Sequence, residues 1–274
     1  MVAQDTSGPV LPPPKVLVIE REWVKPGRSG AVHEKSEAAF VNAMKAAKWP
    51  THYLAAESMS GKPRVLFMLG YPSFADWEKD NEAMEKNATL SAAFDKATMA
   101  DGDLLTEYNQ NVFTLDSENS LRPGDAVHAH YFEISQYHVK PGHRKEWMDL
   151  VKIYHDTLEK AVPNANWALY ESYYGEDNGG YYAVISTMKS LGEDDASMGD
   201  GKKIEEALGP EGMKHVAELT AACIDTQQTN LFHINPKMSY ASEDWMKADE
   251  FWKPKMAAPA MVPVVAKATA PPKP

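Results

Sequence analysis

The chain has 274 residues, of which 43% are hydrophobic and 24% are charged, a composition typical of soluble globular proteins with room for two ordinary domains. Its net charge of −11 argues against nucleic acid as a partner, because an acidic surface repels a phosphate backbone. No apolar run reaches the roughly 18 residues that a membrane span needs, and the one cysteine, Cys223, excludes an intrachain disulfide.

Hydrophobic periodicity in the first part of the chain predicts a strand, a helix, two strands, a helical stretch and a last strand. These elements are predicted at 15–23, 29–48, 51–58, 64–69, 73–103 and 106–114. The face of the first helix that packs against the sheet is predicted from helical spacing to hold Val32, Ser36, Ala39, Phe40, Ala43, Met44 and Ala47.

The same order of elements returns in the second part of the chain. The predicted elements lie at 129–138, 143–160, 165–172, 181–187, 189–222 and 224–234. A linker with a Pro-Gly pair is predicted at 115–128, and an extension with a short helix at 242–252 is predicted over 235–253. The two parts are therefore expected to be separate units of one architecture.

Both ends of the chain are rich in proline and lack periodicity. Residues 1–14 and the Ala/Pro/Lys tail at 254–274 are predicted to be disordered. The start lacks the basic and apolar regions of a signal peptide, although Ala3-Gln4 resembles a common mature start. A secreted or periplasmic location is expected if a leader has been removed, and a cytoplasmic one otherwise.

A repeated tetrapeptide supports a tandem duplication. Val-Lys-Pro-Gly at 24–27 recurs at 139–142, and Glu57-Ser58 has its counterpart in Glu171-Ser172. Each copy of the tetrapeptide follows a predicted strand and precedes a long predicted helix. The order β-α-β-β-α-β is the ferredoxin-like arrangement, so the predicted fold class is α+β with two ferredoxin-like units at 15–114 and 129–234.

A unit of about 110 residues with this order and this turn resembles the dimeric α+β barrel superfamily, which includes antibiotic-biosynthesis-type monooxygenases and NIPSNAP-like proteins. The resemblance covers 15–114 and 129–234 and implies that the two units form one barrel within the chain. Many members bind or oxidise small apolar molecules, and some bind haem. The resemblance therefore implies a barrel that binds a small apolar or aromatic molecule, with a cofactor-independent oxygenase or isomerase as its enzymatic form.

Candidate ligand-binding residues follow from the alternation of side chains along the strands. The more apolar set, which includes Leu17 and Ile19, is expected to pack on the helices, and the mixed set is expected to face the barrel interior. The candidates are Glu20, Glu22, His52, Glu133, Ser135, Tyr137 and Trp167. The alternative is a non-catalytic secreted or structural protein whose barrel is filled by side chains, and either form could be a homodimer.

Histidines supply the remaining candidates. His128 and His130 share one strand face and could bind a metal with Glu133 or His233, but two exposed histidines explain the pattern better, and no metal site is predicted. No cofactor is predicted; haem is the alternative, with His138, His155 or His215 as the axial ligand. The absence of G-x-G-x-x-G, P-loop, G-x-S-x-G and H-E-x-x-H motifs argues against nucleotide-dependent and serine-hydrolase chemistry.

Overall fold

Eight antiparallel strands close into a barrel, with helices packed on its outer surface. The structure is a computed structural model that describes residues 11–176 and 180–253. The predicted disordered tail at 254–274 and most of the predicted N-terminal segment lie outside the described residues. None of the helices in the described ranges combines the length and the apolarity that crossing a bilayer requires.

The elements follow the predicted order along the chain. The strands are β1 Val16–Val24, β2 Tyr53–Ser58, β3 Arg64–Tyr71, β4 Leu105–Leu121, β5 Tyr131–Val139, β6 Trp167–Tyr174, β7 Tyr181–Met188 and β8 Ile224–Ile234. The helices are α1 Ala31–Ala47, α2 Phe74–Lys86, α3 Ala88–Gly102, α4 Arg144–Ala161, α5 Gly192–Ser197, α6 Asp200–Cys223 and α7 Glu243–Ala248, followed by a short 3₁₀ helix at Glu250–Trp252. We call β1–β4 with α1–α3 the first half, and β5–β8 with α4–α6 the second half.

The strands are ordered β1-β3-β2-β8-β5-β7-β6-β4 around the barrel. Each half therefore contributes four adjacent strands, and the halves join at the β2–β8 and β4–β6 pairs. Strand β4 continues to Leu121, well into the predicted linker at 115–128. It does so because its last part pairs with β6, with Leu115 opposite Tyr170 and Leu121 opposite Trp167.

The repeated tetrapeptide forms the same turn in both halves. Gly27 and Gly142 have φ angles of 76° and 85°, in the left-handed region that favours glycine. A Cβ atom at either position would meet nothing within 4 Å, so the backbone conformation rather than space requires glycine there. The turn therefore redirects the chain from the first strand of each half towards its long helix.

The barrel interior is a packed apolar core to which all eight strands contribute. Its members include Leu17, Ile19, Phe132 and Ile134, all nearly inaccessible to solvent. An eight-stranded barrel is narrow enough for side chains to fill most of its interior, as this core does. Separate apolar clusters lie between the outer face of the sheet and the helices in each half.

Segments from both ends of the described chain cover one end of the barrel. Trp252 donates a hydrogen bond from Nε1 to the backbone oxygen of Val127 at 2.7 Å. The Tyr170 hydroxyl donates to the backbone oxygen of Pro14 at 3.1 Å. The C-terminal extension and residues 11–14 therefore belong to the packed structure and close the barrel at this end.

Candidate functional site

The faces of the barrel strands are the reverse of the predicted ones. Leu17 and Ile19 lie in the barrel core, whereas Val16 and Val18 pack outside it. Alternation then places Glu20 on the helix side of β1. The prediction for β1 was wrong because the closed barrel buries the more apolar set of side chains in its core. Among the described residues, Glu20, Glu22, Glu133 and Tyr137 do not surround a cavity inside the barrel.

One cavity of about 650 Å³ lies at the covered end of the barrel. We call it the barrel-end cavity, and His52 is the predicted ligand residue that it contains. The His52 ring stacks on Tyr240 with centroids 4.6 Å apart, and burial lowers the pKa of His52. Apolar barrel residues and the segment 11–14 form most of its wall.

A second cavity of about 820 Å³ lies outside the barrel, between the second-half sheet and its helices. We call it the second-half cavity. It brings together four of the predicted ligand residues, which come from β5 and β6: Glu133, Ser135, Tyr137 and Trp167. Side chains of α4, chiefly Trp147, Leu150, Val151 and Tyr154, form the opposite wall.

The second-half cavity has polar and charged side chains beside its aromatic wall, among them Glu193, Asp194, Asp200 and Lys203. The Ser135 hydroxyl lies 2.7 Å from the hydroxyl of Thr229, and the indole of Trp167 donates to the backbone oxygen of Asn119 at 2.9 Å. The Trp147 indole N–H is buried and has no hydrogen-bond partner among the described residues. An unpaired buried donor is costly, and this N–H is itself enclosed, so a molecule in the cavity could bond to it only if the indole moved.

Glu133 and Tyr137 supply the titratable groups on the strand side of this cavity. Glu133 is an exposed residue at the edge of the cavity, but desolvation by the groups around it raises its pKa, and the negative charge of Asp194 adds to the shift. Burial also raises the pKa of Tyr137, so its hydroxyl stays protonated at neutral pH. The cavity therefore combines aromatic walls with one carboxylate whose proton affinity is above normal.

The first half has a buried group of charged side chains at the corresponding place between sheet and helices. We call Glu22, His33, Glu37 and Asp101 the charged quartet; all four are buried. His33 Nε2 lies 3.0 Å from Glu22 Oε2, 3.6 Å from Glu37 Oε1 and 3.6 Å from Asp101 Oδ1. β1, α1 and α3 each contribute to it, so this contact ties the first strand to two helices.

Electrostatics within the charged quartet favour a protonated histidine. Burial disfavours the imidazolium, but the surrounding carboxylates outweigh it and raise the pKa of His33 to about 10. Burial, with the charges of Glu22 and Asp101, raises the pKa of Glu37 well above its usual value. Burial and the charge of Glu22 also raise the pKa of neighbouring Glu20 to about 7.

Sequence reasoning identified Glu22 but missed its partners in the charged quartet. His33 and Glu37 are one helical turn apart and share the buried face of α1 with Val41 and Met44. Val32, predicted to lie on that face, is instead 46% exposed. Because residues 33 and 37 are polar, hydrophobic spacing did not show which face of α1 is buried. A His and a Glu four residues apart do, however, indicate two side chains that meet on one face of a helix.

The histidines proposed as haem ligands do not converge on a cavity. His138 stacks on Tyr181 at 4.7 Å, His155 lies beside Asp156, and His215 is exposed on α6. None of the three lines the barrel-end or the second-half cavity. The three histidines predicted as axial ligands therefore do not face either cavity; His52 is the histidine at the barrel-end cavity.

His128 and His130, which lie two positions apart in sequence, also contact different residues. His128 lies against Asp125, whereas His130 stacks on Phe251 with centroids 4.1 Å apart and faces Asp249. Neither belongs to the charged quartet, which among the described residues is where groups suited to hold a metal ion lie close together.

No family model matches the chain, and no curated protein matches it. The chain is, however, similar to several solved structures. A candidate monooxygenase from Fusobacterium nucleatum has a TM-score of 0.51 at 12% identity, covering 80% of this chain and 91% of that one. An anthrone oxidase-like protein has a TM-score of 0.50 at 13% identity, with the same coverage of 80% and 91%.

A chlorite dismutase variant from Candidatus Nitrospira defluvii is also similar, with a TM-score of 0.47 at 12% identity over 87% of this chain and 98% of that one. At such low identity the likeness of the first two shows that this chain has the same fold, and nothing more.

Proposed function

We propose that the second-half cavity binds a small aromatic or apolar molecule. The convergence of Tyr137, Trp147, Tyr154 and Trp167 around about 820 Å³ is the observation that carries this proposal. Aromatic rings provide large apolar contact areas, and ligand pockets typically have volumes of about 300–1,000 Å³.

The enzymatic form of this proposal is a cofactor-independent oxygenase or isomerase. Both reactions need a base that removes a proton from the bound molecule. We assign this role to Glu133, which lies on β5 at the cavity and whose pKa is raised by desolvation. A raised pKa makes the carboxylate a better base, and moves the onset of activity above the usual carboxyl value of 4.5.

We also infer that the two halves are tandem ferredoxin-like copies. The inference is supported by the matching turns at Gly27 and Gly142 and by the equivalent positions of the strands, since β4-β1-β3-β2 and β8-β5-β7-β6 follow the same order. Duplication explains why the second-half cavity and the charged quartet occupy corresponding places. The homodimer and the secreted or periplasmic location stay predictions from sequence.

Fluorescence titration of the full chain with N-phenyl-1-naphthylamine, an uncharged aromatic probe, tests the binding proposal. Val184 lies on β7 between Ser135 and Leu169 and lines the second-half cavity. Val184→Trp is expected to fill the cavity and weaken probe binding at least about tenfold. The matched control is Ala83→Trp, which fills the barrel-end cavity. Loss of binding in the Ala83 variant alone would contradict the proposal.

Anthrone is a suitable probe for catalysis, because it is a flat aromatic ketone with an acidic C–H bond and because a structural neighbour is anthrone oxidase-like. We expect Glu133→Gln to lower kcat for dioxygen-dependent anthrone oxidation by about 10²–10⁴-fold, with little change in probe affinity. Probe binding by the wild type without turnover of anthrone would favour a binding protein over an oxygenase for this substrate class.

A further inference from the structure

The charged quartet has the composition of a metal site. One imidazole and three carboxylates come together from β1, α1 and α3, and their potential ligand atoms all lie within 4.8 Å of one another. We propose that the charged quartet binds a divalent first-row transition metal ion. This site lies in the first half and is independent of the ligand that we propose for the second-half cavity.

The distances in the charged quartet suit a single small ion. Zinc binds histidine nitrogen and carboxylate oxygen at about 2.0–2.2 Å, so ligand atoms on a tetrahedron lie roughly 3.4 Å apart. The distances from His33 Nε2 to the three carboxylates, 3.0, 3.6 and 3.6 Å, lie on either side of that spacing. The remaining distances, between carboxylate oxygens, are all within 4.8 Å, so the four groups would close in around a bound ion.

Unpaired oxygens supply an independent reason for a cation. Both carboxylate oxygens of Asp101 and Oε1 of Glu37 are buried and accept no hydrogen bond from the described residues. Asp101 is only 2% exposed and Glu37 only 3%. Buried carboxylate oxygens without hydrogen bonds are strongly disfavoured, and here Glu37 Oε1 and Asp101 Oδ1 have only His33 Nε2 near them, at 3.6 Å, so a cation among them would compensate their charge.

The ligand types decide which class of ion fits. Calcium and magnesium prefer sites made of oxygen ligands only, so the imidazole of His33 argues against them. A mixture of imidazole and carboxylate suits zinc, manganese and iron(II). The charges agree, since three carboxylates surround one histidine, and a divalent cation would neutralise more of their charge than the imidazolium proton does.

The second half lacks these ligands at the matching positions. Tyr137 lies 115 residues after Glu22, and Trp147 lies 114 residues after His33. The two rings pack with centroids 4.9 Å apart, in the same strand-to-helix contact that Glu22 and His33 make through a hydrogen bond. The proposed metal site is therefore specific to the first half, and one ion per chain is expected.

The test is metal binding by the full chain after dialysis against a chelator. Calorimetric titration with Zn²⁺, and separately with Mn²⁺, is expected to show one ion per chain and a higher melting temperature with metal than without it. Glu37→Gln and Asp101→Asn keep side-chain volume but remove ligand charge. Each is expected to weaken the binding of the ion at least about tenfold.

Matched controls separate this site from surface binding. Asp125→Asn removes the carboxylate beside His128 on the surface and is expected to leave the stoichiometry unchanged. The visible spectrum of the Co²⁺-loaded protein supplies a second readout, with nitrogen coordination lost in His33→Gln. A wild type that binds neither ion, or binding unaffected by Glu37→Gln and Asp101→Asn, would overturn the proposal.

Discussion

The space between sheet and helices is filled differently in the two halves. In the first half Glu22 meets His33 at 3.0 Å within the buried charged quartet. In the second half Tyr137 packs on Trp147 beside a cavity of about 820 Å³. The same strand and the same helix thus hold charge in one half and aromatic surface in the other. A shared scaffold therefore does not imply a shared site.

The largest loss of stability is expected from removing the positive charge of His33 from the charged quartet. His33→Leu removes the positive charge that faces the buried carboxylates of Glu22 and Asp101, and should lower the free energy of unfolding by about 3–5 kcal/mol. The measurement is denaturant unfolding with a chelator present, so that bound metal does not contribute. The exposed His215→Leu is the control, expected within about 0.5 kcal/mol of wild type. Equal stability of all three proteins would show that the charged quartet has no structural role.

A smaller loss of stability is expected from changes to the aromatic wall of the second-half cavity. Trp167 is 8% exposed and lines the second-half cavity, so Trp167→Ala should cost about 3 kcal/mol and weaken binding of N-phenyl-1-naphthylamine. Trp167→Phe keeps most of the ring but loses the hydrogen bond to Asn119, and should cost about 1 kcal/mol. Unchanged probe affinity in Trp167→Ala would place the probe elsewhere.

The ionisation of Glu133 should make the stability of the protein depend on pH. Because its pKa is higher in the folded protein than its usual 4.5, ionisation of Glu133 destabilises the fold above the folded pKa and has no effect below about pH 4.5. Glu133→Gln should therefore melt at a higher temperature than wild type at pH 7, with the difference disappearing as the pH falls through that range. Melting curves from pH 4 to pH 8 provide the measurement. A variant that is less stable than wild type at pH 7 would contradict the sign of the shift.

The smallest effect concerns the matched carboxylates Glu57 and Glu171. Glu171 accepts from Arg144 at 2.7 Å and from the Tyr182 hydroxyl at 3.0 Å, whereas Glu57 accepts from Asn235 at 3.4 Å. Arg144 is largely exposed, so Arg144→Ala should cost at most about 1 kcal/mol by chemical denaturation, and less at high salt. A loss of several kcal/mol would mean that this surface pair is far stronger than its exposure allows.

The order of the elements could be predicted from sequence, because it depends on local periodicity and turn chemistry. Strand β8 has the predicted bounds of 224–234, and the Gly27 turn lies where its sequence suggests. The length of β4 could not be predicted in this way. Its last residues are in a strand because they pair with β6, about 50 residues further along the chain.

Nor could the sequence predict which face of a strand points into the barrel. Alternation shows which residues share a face, but not which face points into the barrel. Glu20 and Glu22 were expected inside because they are polar, yet Glu22 is accommodated outside by His33, on a helix that the hydrophobic pattern placed in the wrong phase. Ser135 and Tyr137 do lie together at one cavity, but it is on the other side of the sheet from the predicted one and does not include Glu20 or Glu22.

Hydrogen–deuterium exchange with and without N-phenyl-1-naphthylamine tests the central claim most directly, that the ligand lies between sheet and helices of the second half. We expect the probe to slow exchange in α4 and in β6 and β7, whose side chains line the second-half cavity. Exchange in α1, which packs on the charged quartet, should not change. Protection confined to α1, or to residues 11–14 and α7 around the barrel-end cavity, would contradict the account.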